Sequence, residues 1–114
     1  GDDAITIPLI ALGGKGIISV VSNEIPRQMT ELTGQALAGN FEEARRIQRE
    51  YLPLMEVNFV ESNPIPVKAA MAAMGLLEPV YRLPMCAPAA ANQAKIEKVL
   101  DGVGLLAERG VHAG

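Results

Sequence analysis

Lys15 and Lys68 are the first residues whose type could do covalent chemistry, since a lysine amine can form an imine with a carbonyl substrate. Such a lysine needs a lowered pKa, which burial or a neighbouring cation provides. Lys15 stands between glycines in a turn-like segment, and Lys68 follows two prolines where a helix is expected to begin. Both positions favour a solvated or structural lysine, so neither is expected to be a nucleophile.

Other residues with chemical potential also favour simple structural interpretations. Cys86 is the only cysteine of the sequence and is expected to be a small packed residue. His112 lies in a glycine-flanked tail with no second ligand at metal spacing. Gly13, Gly14 and Gly16 precede a strand-like run, whereas a phosphate-binding loop opens a helix. The sequence therefore predicts no metal site and no cofactor.

Composition limits the classes of function. The chain has 114 residues, 49% hydrophobic and 20% charged, which is typical of one globular domain or part of one. A formal net charge of -3 and scattered basic residues exclude a nucleic-acid footprint. No apolar run approaches the roughly 20 residues that cross a bilayer, so no membrane partner is expected. A single cysteine fits a cytoplasmic location.

The acidic pair Asp2 and Asp3 precedes an apolar segment that ends at two glycines. A carboxylate at such a place can cap a helix, and Gly13-Gly14 can end it. The pattern predicts a short helix from Ala4 to Leu12.

The run from Ile17 to Val21 is the one segment that favours a β-strand. It is short, rich in β-branched residues and nearly continuously apolar, which is typical of a strand buried on both faces. Such a strand needs neighbours on both edges for its N–H and C=O groups, and no other segment supplies them. We therefore expect its partner strands on polypeptide outside this chain.

The remaining sequence predicts four helices. Pro26 begins the first, which ends at Gly39-Asn40, and Asn40 begins the second, which Pro53 should kink. Residues 62–66 contain two prolines and are expected to turn before a third helix that ends at Gly75. A proline-rich connection leads to the last helix, whose apolar positions are Ile96, Val99, Leu100, Val103 and Leu106.

Five segments, in this order and spacing, together resemble the dihydrodipicolinate synthase family. They are Gly1-Asp2-Asp3, the run ALGGKGIISV at 11–20, Ser22-Asn23, the run NPIPVK at 63–68 and the run RLPM at 82–85. The resemblance covers essentially the whole chain. The NPIPVK run separates this family from the related sialic acid lyases.

The resemblance implies an α/β fold, the C-terminal portion of a (β/α)₈ TIM barrel followed by a small α-helical C-terminal domain. It places Gly1 at the end of strand seven and residues 17–21 in strand eight. Residues 1–39 would be the last part of the barrel, and 40–114 the closing helix and helical domain. Because catalysis occurs at the C-terminal ends of barrel strands, residues 1–3 and 18–23 are expected at the catalytic mouth and Lys15 at the opposite end.

The resemblance also implies a lyase of lysine and diaminopimelate biosynthesis. Family members form a Schiff base between pyruvate and a lysine of strand six, then condense it with aspartate 4-semialdehyde to give 4-hydroxy-tetrahydrodipicolinate. That lysine is expected upstream of Gly1, so this chain has no catalytic residue and is expected to be inactive alone. Its partners would be the N-terminal part of the same protein and, in a homotetramer, further copies of it.

Three substrate-binding residues follow from the same resemblance. The backbone carbonyl of Ile18 would face pyruvate, Gly1 would allow close approach of substrate, and Asp2 would lie near the second substrate. The residues alone favour simpler roles, since the Ile18 side chain fits a core position and Asp2 fits a helix cap.

Two alternatives stay open. One is another class I pyruvate aldolase of the same superfamily with a different second substrate. The other is a non-catalytic helical interaction module in which residues 17–21 pair with a partner's sheet.

Overall fold

The structure, a computed structural model, describes residues 2–106. The chain divides into two compact units, Gly1–Glu56 and Val57–Gly114, which we call the N-terminal and C-terminal units. The domain boundary predicted at 39/40 refers to a barrel and stays a prediction. Within the described residues the elements are a 3-10 helix at Asp3–Ile5, α1 at Thr6–Ala11, a second 3-10 helix at Val21–Asn23, α2 at Pro26–Leu37, α3 at Phe41–Val57, α4 at Ile65–Ala73 and α5 at Ala90–Gly102.

The short helix predicted at the start of the N-terminal unit is confirmed. Asp2 Oδ1 accepts a hydrogen bond from the Ala4 N–H at 3.1 Å and caps the first 3-10 turn, which continues into α1. Gly13 then has φ of +107°. The Gly14 N–H donates to the Leu9 carbonyl at 2.9 Å, and a Cβ at Gly14 would lie 2.9 Å from the same oxygen. Only glycine therefore allows the chain to pass so close to α1.

The strand predicted from Ile17 to Val21 is wrong for this chain. Ile17 to Ser19 have no regular secondary structure, and the second 3-10 helix begins at Val21. Residues 2–106 contain no strand, so the run has no ladder to join. The backbone instead turns around the carboxylate of Asp3.

Three helices of the N-terminal unit share one core. Ile10 of α1, Ala36 of α2 and Ala44 of α3 are buried together, with Ile7 and Phe41 packed at the side. Helix α2 begins at Pro26 as predicted, and the left-handed Gly39 with φ of +84° follows it. Helix α3 runs through Pro53 without a break.

The C-terminal unit is built on α4 and α5, which contact each other. The predicted turn over residues 62–66 leads into α4, and Gly75 with φ of +82° follows its end. Ile96 and Leu100 of α5 are fully buried, as the apolar spacing predicts. Burial of one such aliphatic side chain contributes roughly 1.5–3 kcal/mol.

The start of α5 is held by a residue from the turn before α4. Glu61 Oε2 accepts from the Ala89 N–H at 2.8 Å and from Asn92 Nδ2 at 2.7 Å. This carboxylate satisfies an N–H group near the helix start that has no intrahelical acceptor.

Candidate functional site

Asp3 is fully buried and organises the segment that the family resemblance predicts at a catalytic mouth. Its Oδ2 accepts from the Val20 N–H at 3.2 Å and the Val21 N–H at 2.9 Å, while its Oδ1 accepts from the Ser19 hydroxyl. Both carboxylate oxygens therefore hold residues that lie 16 to 18 positions later in the chain. Hydrogen bonds to a carboxylate are about twice as strong as neutral ones.

Asp3 is itself fixed from the following turn. The Thr6 hydroxyl donates to the Asp3 carbonyl oxygen at 2.8 Å, and Thr6 is only 1% exposed. Gln48 Nε2 of α3 donates to the Ala4 carbonyl at 3.0 Å, which ties α3 to the same turn. The turn that carries the carboxylate is thus held by hydrogen bonds from Thr6 and Gln48.

Ser19 and Ser22 complete the turn through two hydrogen bonds, both donated by Ser22. The Ser22 N–H donates to Ser19 Oγ at 2.9 Å, and the Ser22 hydroxyl donates to the Ser19 carbonyl at 3.1 Å. Asn23 follows with its N–H on the Val20 carbonyl at 3.1 Å and its Nδ2 on the same oxygen at 3.0 Å. We call residues 19–23 the Asp3 turn.

Ile18 lies directly before the Asp3 turn. Its side chain is 89% exposed, so the core position predicted for it is wrong in this structure. The role of its carbonyl toward a substrate stays a prediction.

Of the other predicted site residues, Asp2 is exposed and has the capping role given above. Its place near a second substrate stays a prediction. Gly1 and His112 lie outside the described residues.

An open groove of about 580 Å³ lies beside the Asp3 turn, between residues 16–22 and the exposed side of α2. The residues that line it carry no charge and include small, hydroxyl and apolar side chains. They are Gly16, Ile17, Ser19, Ser22, Pro26, Met29, Thr30, Thr33, Gly34 and Leu37. We call this feature the α2 groove. It lacks ionisable side chains for acid–base catalysis.

None of the four lysines of the chain is buried. Lys15, Lys95 and Lys98 are exposed, and Lys68 is half-buried with Nζ 5.3 Å from the centroid of the Tyr81 ring. Burial raises the pKa of the Tyr81 phenol above its ordinary value of 10.0. Since imine formation requires a desolvated amine, the structure gives no lysine of this chain that environment.

Cys86 is exposed, so its predicted packing is wrong. It lies in the irregular connection before α5, which has no core of its own. Among residues 2–106 no three histidine, cysteine or acidic side chains come together as metal ligands. In the same residues, no helix has the length and apolar character required to cross a membrane.

The comparison with known families identifies the family of the chain. Residues 1–102 match the model of the Dihydrodipicolinate synthetase family. The chain belongs to this family. The resemblance carried by its five sequence segments is therefore confirmed.

Members of the dihydrodipicolinate synthetase family resemble this chain closely in sequence. The 4-hydroxy-tetrahydrodipicolinate synthase of Pelodictyon phaeoclathratiforme is 46% identical over 106 residues, which is 93% of this chain and 36% of that relative. The chain thus spans little more than a third of the curated relatives that it matches.

Solved structures of the family agree with the fold. Dihydrodipicolinate synthase from Aquifex aeolicus matches with a TM-score of 0.92 and 42% identity, over 96% of this chain and 37% of that one. A chloride-inhibited dihydrodipicolinate synthase from Acinetobacter baumannii, complexed with pyruvate, matches with a TM-score of 0.89 and 35% identity, over 93% and 36%. The described part of the chain therefore follows the overall backbone path of the matching region in these structures.

Sequence reasoning singled out residues 18–23 but missed the residue that organises them. Asp3 was predicted only as a helix cap, and its contact with residues 19–21 joins positions that local patterns do not connect. The available signal was Ser19 and Ser22, three residues apart, a spacing at which a hydroxyl often caps a turn.

Proposed function

We propose that the whole protein is a lyase that condenses pyruvate with aspartate 4-semialdehyde through a Schiff base to give 4-hydroxy-tetrahydrodipicolinate. The match of residues 1–102 to the family model carries this proposal. The curated relatives named 4-hydroxy-tetrahydrodipicolinate synthase support it. The reaction belongs to lysine and diaminopimelate biosynthesis, and a cytoplasmic location goes with the proposal.

In this proposal the chain supplies the end of a (β/α)₈ barrel and a helical C-terminal domain. Residues 17–21 occupy the place of strand eight in this proposal: the segment up to Ser19 would lie beside neighbouring barrel strands, the Asp3 contacts would hold residues 19–21, and the Ile18 carbonyl would face pyruvate. The 89% exposure of Ile18 supports this, because so exposed an apolar side chain is suited to pack against further polypeptide. Gly1 and Asp2 would border the second substrate.

The Schiff-base lysine belongs to the remaining part of the protein. None of the lysines in this chain is buried, and Lys15 precedes the proposed strand rather than following it. This chain alone is therefore expected to be inactive. Its contribution is to place backbone and to close the barrel.

The assembly proposed for the whole protein is a homotetramer. Ile5, Leu9 and Leu12 form an apolar stripe along the first helical segment and are 45%, 45% and 86% exposed. Apolar side chains at such helical spacing on one face are suited to pack against a second copy.

Borohydride reduction in the presence of pyruvate tests the proposed chemistry. The full-length protein should gain a covalent adduct, measured by mass spectrometry, on a lysine outside this chain, whereas residues 1–114 alone should gain none. An adduct on Lys15 or Lys68 would overturn the proposal.

The second substrate needs its own assay. Full-length protein mixed with pyruvate should turn over aspartate 4-semialdehyde and leave the aldehydes of sugar-acid lyases unreacted. The opposite preference would assign the protein to another class I pyruvate aldolase.

A further inference from the structure

Asp3 is a fully buried carboxylate to which the proposed reaction gives no role as acid, base or nucleophile. Burying a charged group away from water is unfavourable unless hydrogen bonds compensate for it. Here the compensation comes from the Ser19 hydroxyl and from the N–H groups of Val20 and Val21. The two carboxylate oxygens thus hold one short stretch of backbone.

That stretch begins one peptide bond after the Ile18 carbonyl. A peptide unit is planar, so the direction of the Ile18 C=O follows from where the nitrogen and Cα of Ser19 lie. Ser19 is held on two sides, by Asp3 through its hydroxyl and by Ser22 through its Oγ and its carbonyl. The contacts of Asp3 therefore limit the rotation of the Ile18 carbonyl.

We propose that Asp3 is a positioning residue that aims the Ile18 carbonyl at pyruvate by fixing residues 19–21. The proposal rests on the proposed function and adds a residue to it. Asp3 touches no reacting atom. It acts through the Ser19 backbone, and the rigid contacts of Thr6 and Gln48 hold the turn to which Asp3 belongs.

The expected effect is on pyruvate. A displacement of about 1 Å at a substrate-orienting group can lower rates by about a hundredfold. Asp3→Asn keeps the size of the side chain but replaces one acceptor oxygen by an NH₂ donor. This donor would face either the Ser19 hydroxyl or the N–H groups of Val20 and Val21. We expect the KM for pyruvate to rise about tenfold in Asp3→Asn. The KM for aspartate 4-semialdehyde should stay within about twofold.

Ser19 provides a milder test of the same contact. Ser19→Ala removes the bond to Asp3 Oδ1 and the acceptor of the Ser22 N–H but keeps both backbone contacts to Oδ2, so a smaller rise, about threefold, is expected. Ser19→Thr keeps the hydroxyl and should restore the wild-type value. If Asp3→Asn does not fold, Ser19→Ala against Ser19→Thr decides the question.

Glu61→Gln in the same full-length enzyme is the matched control. Glu61 also holds a distant turn through N–H groups, but it belongs to the C-terminal unit and no part of the proposed site lies there. Assays should be run at equal distances below each variant's melting temperature. The KM for pyruvate in Glu61→Gln should stay within about twofold of wild type, since the hydrogen-bond partners of Glu61, Ala89 and Asn92, lie in the C-terminal unit.

The outcomes separate the two proposals. No borohydride-trapped pyruvate adduct in the wild-type enzyme would remove the proposed function and the role of Asp3 with it. An adduct in the wild type, with an unchanged KM for pyruvate in Asp3→Asn or Ser19→Ala, would remove the role of Asp3 alone. An equal rise in Glu61→Gln would show that lost stability, and not carbonyl direction, causes the change.

Discussion

The N-terminal and C-terminal units each use one carboxylate to hold a turn that is distant in sequence. In the N-terminal unit, Asp3 is fully buried and both of its oxygens accept hydrogen bonds. In the C-terminal unit, Glu61 is only partly buried, and the two bonds at the start of α5 share its Oε2. The same kind of contact, a carboxylate accepting hydrogen bonds from a distant segment, is therefore buried in one unit and partly exposed to solvent in the other.

The difference shows which turn must keep its geometry. Water can replace the partners of a half-exposed carboxylate at little cost, whereas a buried one leaves unsatisfied donors when it is removed. The Asp3 turn is therefore expected to keep its geometry more strictly than the start of α5. Rigidity lies where the proposed site needs a fixed backbone group.

The largest effects are expected from the cores of the two units. Leu32 of α2 and Leu100 of α5 are both fully buried, so Leu32→Ala and Leu100→Ala should each lower the free energy of unfolding by about 3 kcal/mol. Chemical denaturation of the full-length enzyme measures this. Because α2 contacts the second 3-10 helix, only Leu32→Ala should also raise the KM for pyruvate. A similar KM increase in both variants would contradict the distinction between the units.

Removal of each carboxylate should give unequal losses of stability. Asp3→Ala leaves three buried or partly buried donors without their acceptor and should cost about 3 kcal/mol. Glu61→Ala should cost about 1 kcal/mol, since solvent reaches its partners. Denaturant unfolding of the two variants, side by side, checks the ratio. Equal losses would show that burial does not distinguish the two turns.

Exposed apolar side chains distinguish the units through association. Leu12→Asp places a charge on the apolar stripe and should weaken the contact between copies by on the order of 2 kcal/mol. Val80→Asp is the matched change in the C-terminal unit, where Val80 is 62% exposed, and should leave association unchanged. Sedimentation of the full-length protein gives both results. A wild-type mass for Leu12→Asp would remove the stripe from the proposed interface.

The smallest expected effect is a pH dependence in the C-terminal unit. Burial raises the pKa of Tyr81, so the unfolded chain releases the phenolic proton at a lower pH than the folded one. The contribution is fully present below pH 10.0 and is lost as pH rises from there through the folded pKa. Tyr81→Phe should reduce this alkaline loss in denaturant titrations. An identical loss in the variant would assign it to other groups.

The sequence predicted the helices well because their signals are local. Pro26, Gly39 and Gly75 mark helix ends whatever surrounds them, and the apolar spacing of Ile96 and Leu100 identifies a buried face. The prediction of a strand at residues 17–21 was wrong because a strand is stabilised by neighbouring strands, and the described residues contain none. A run of β-branched residues favours a β-strand, but the strand forms only where partner strands are present.

The candidate site was predictable only in part for the same reason. Asp2 as a cap follows from its place before an apolar helix, and the structure confirms that cap. The contact of Asp3 with residues 19–21 could not be predicted, since the chain must reverse direction after α1 to bring residues 19–21 back to Asp3. Gly14, with no room for a side chain beside Leu9, makes that return possible.

The hydrogen bonds to Asp3 also determine which donors of the Asp3 turn remain for a ligand. A serine hydroxyl can donate one hydrogen bond, and Ser19 donates it to Asp3. The N–H groups of Val20 and Val21 also donate to Asp3. These three groups are unavailable to an incoming anion. In the proposed reaction, the carboxylate of pyruvate would therefore need hydrogen-bond donors elsewhere in the protein.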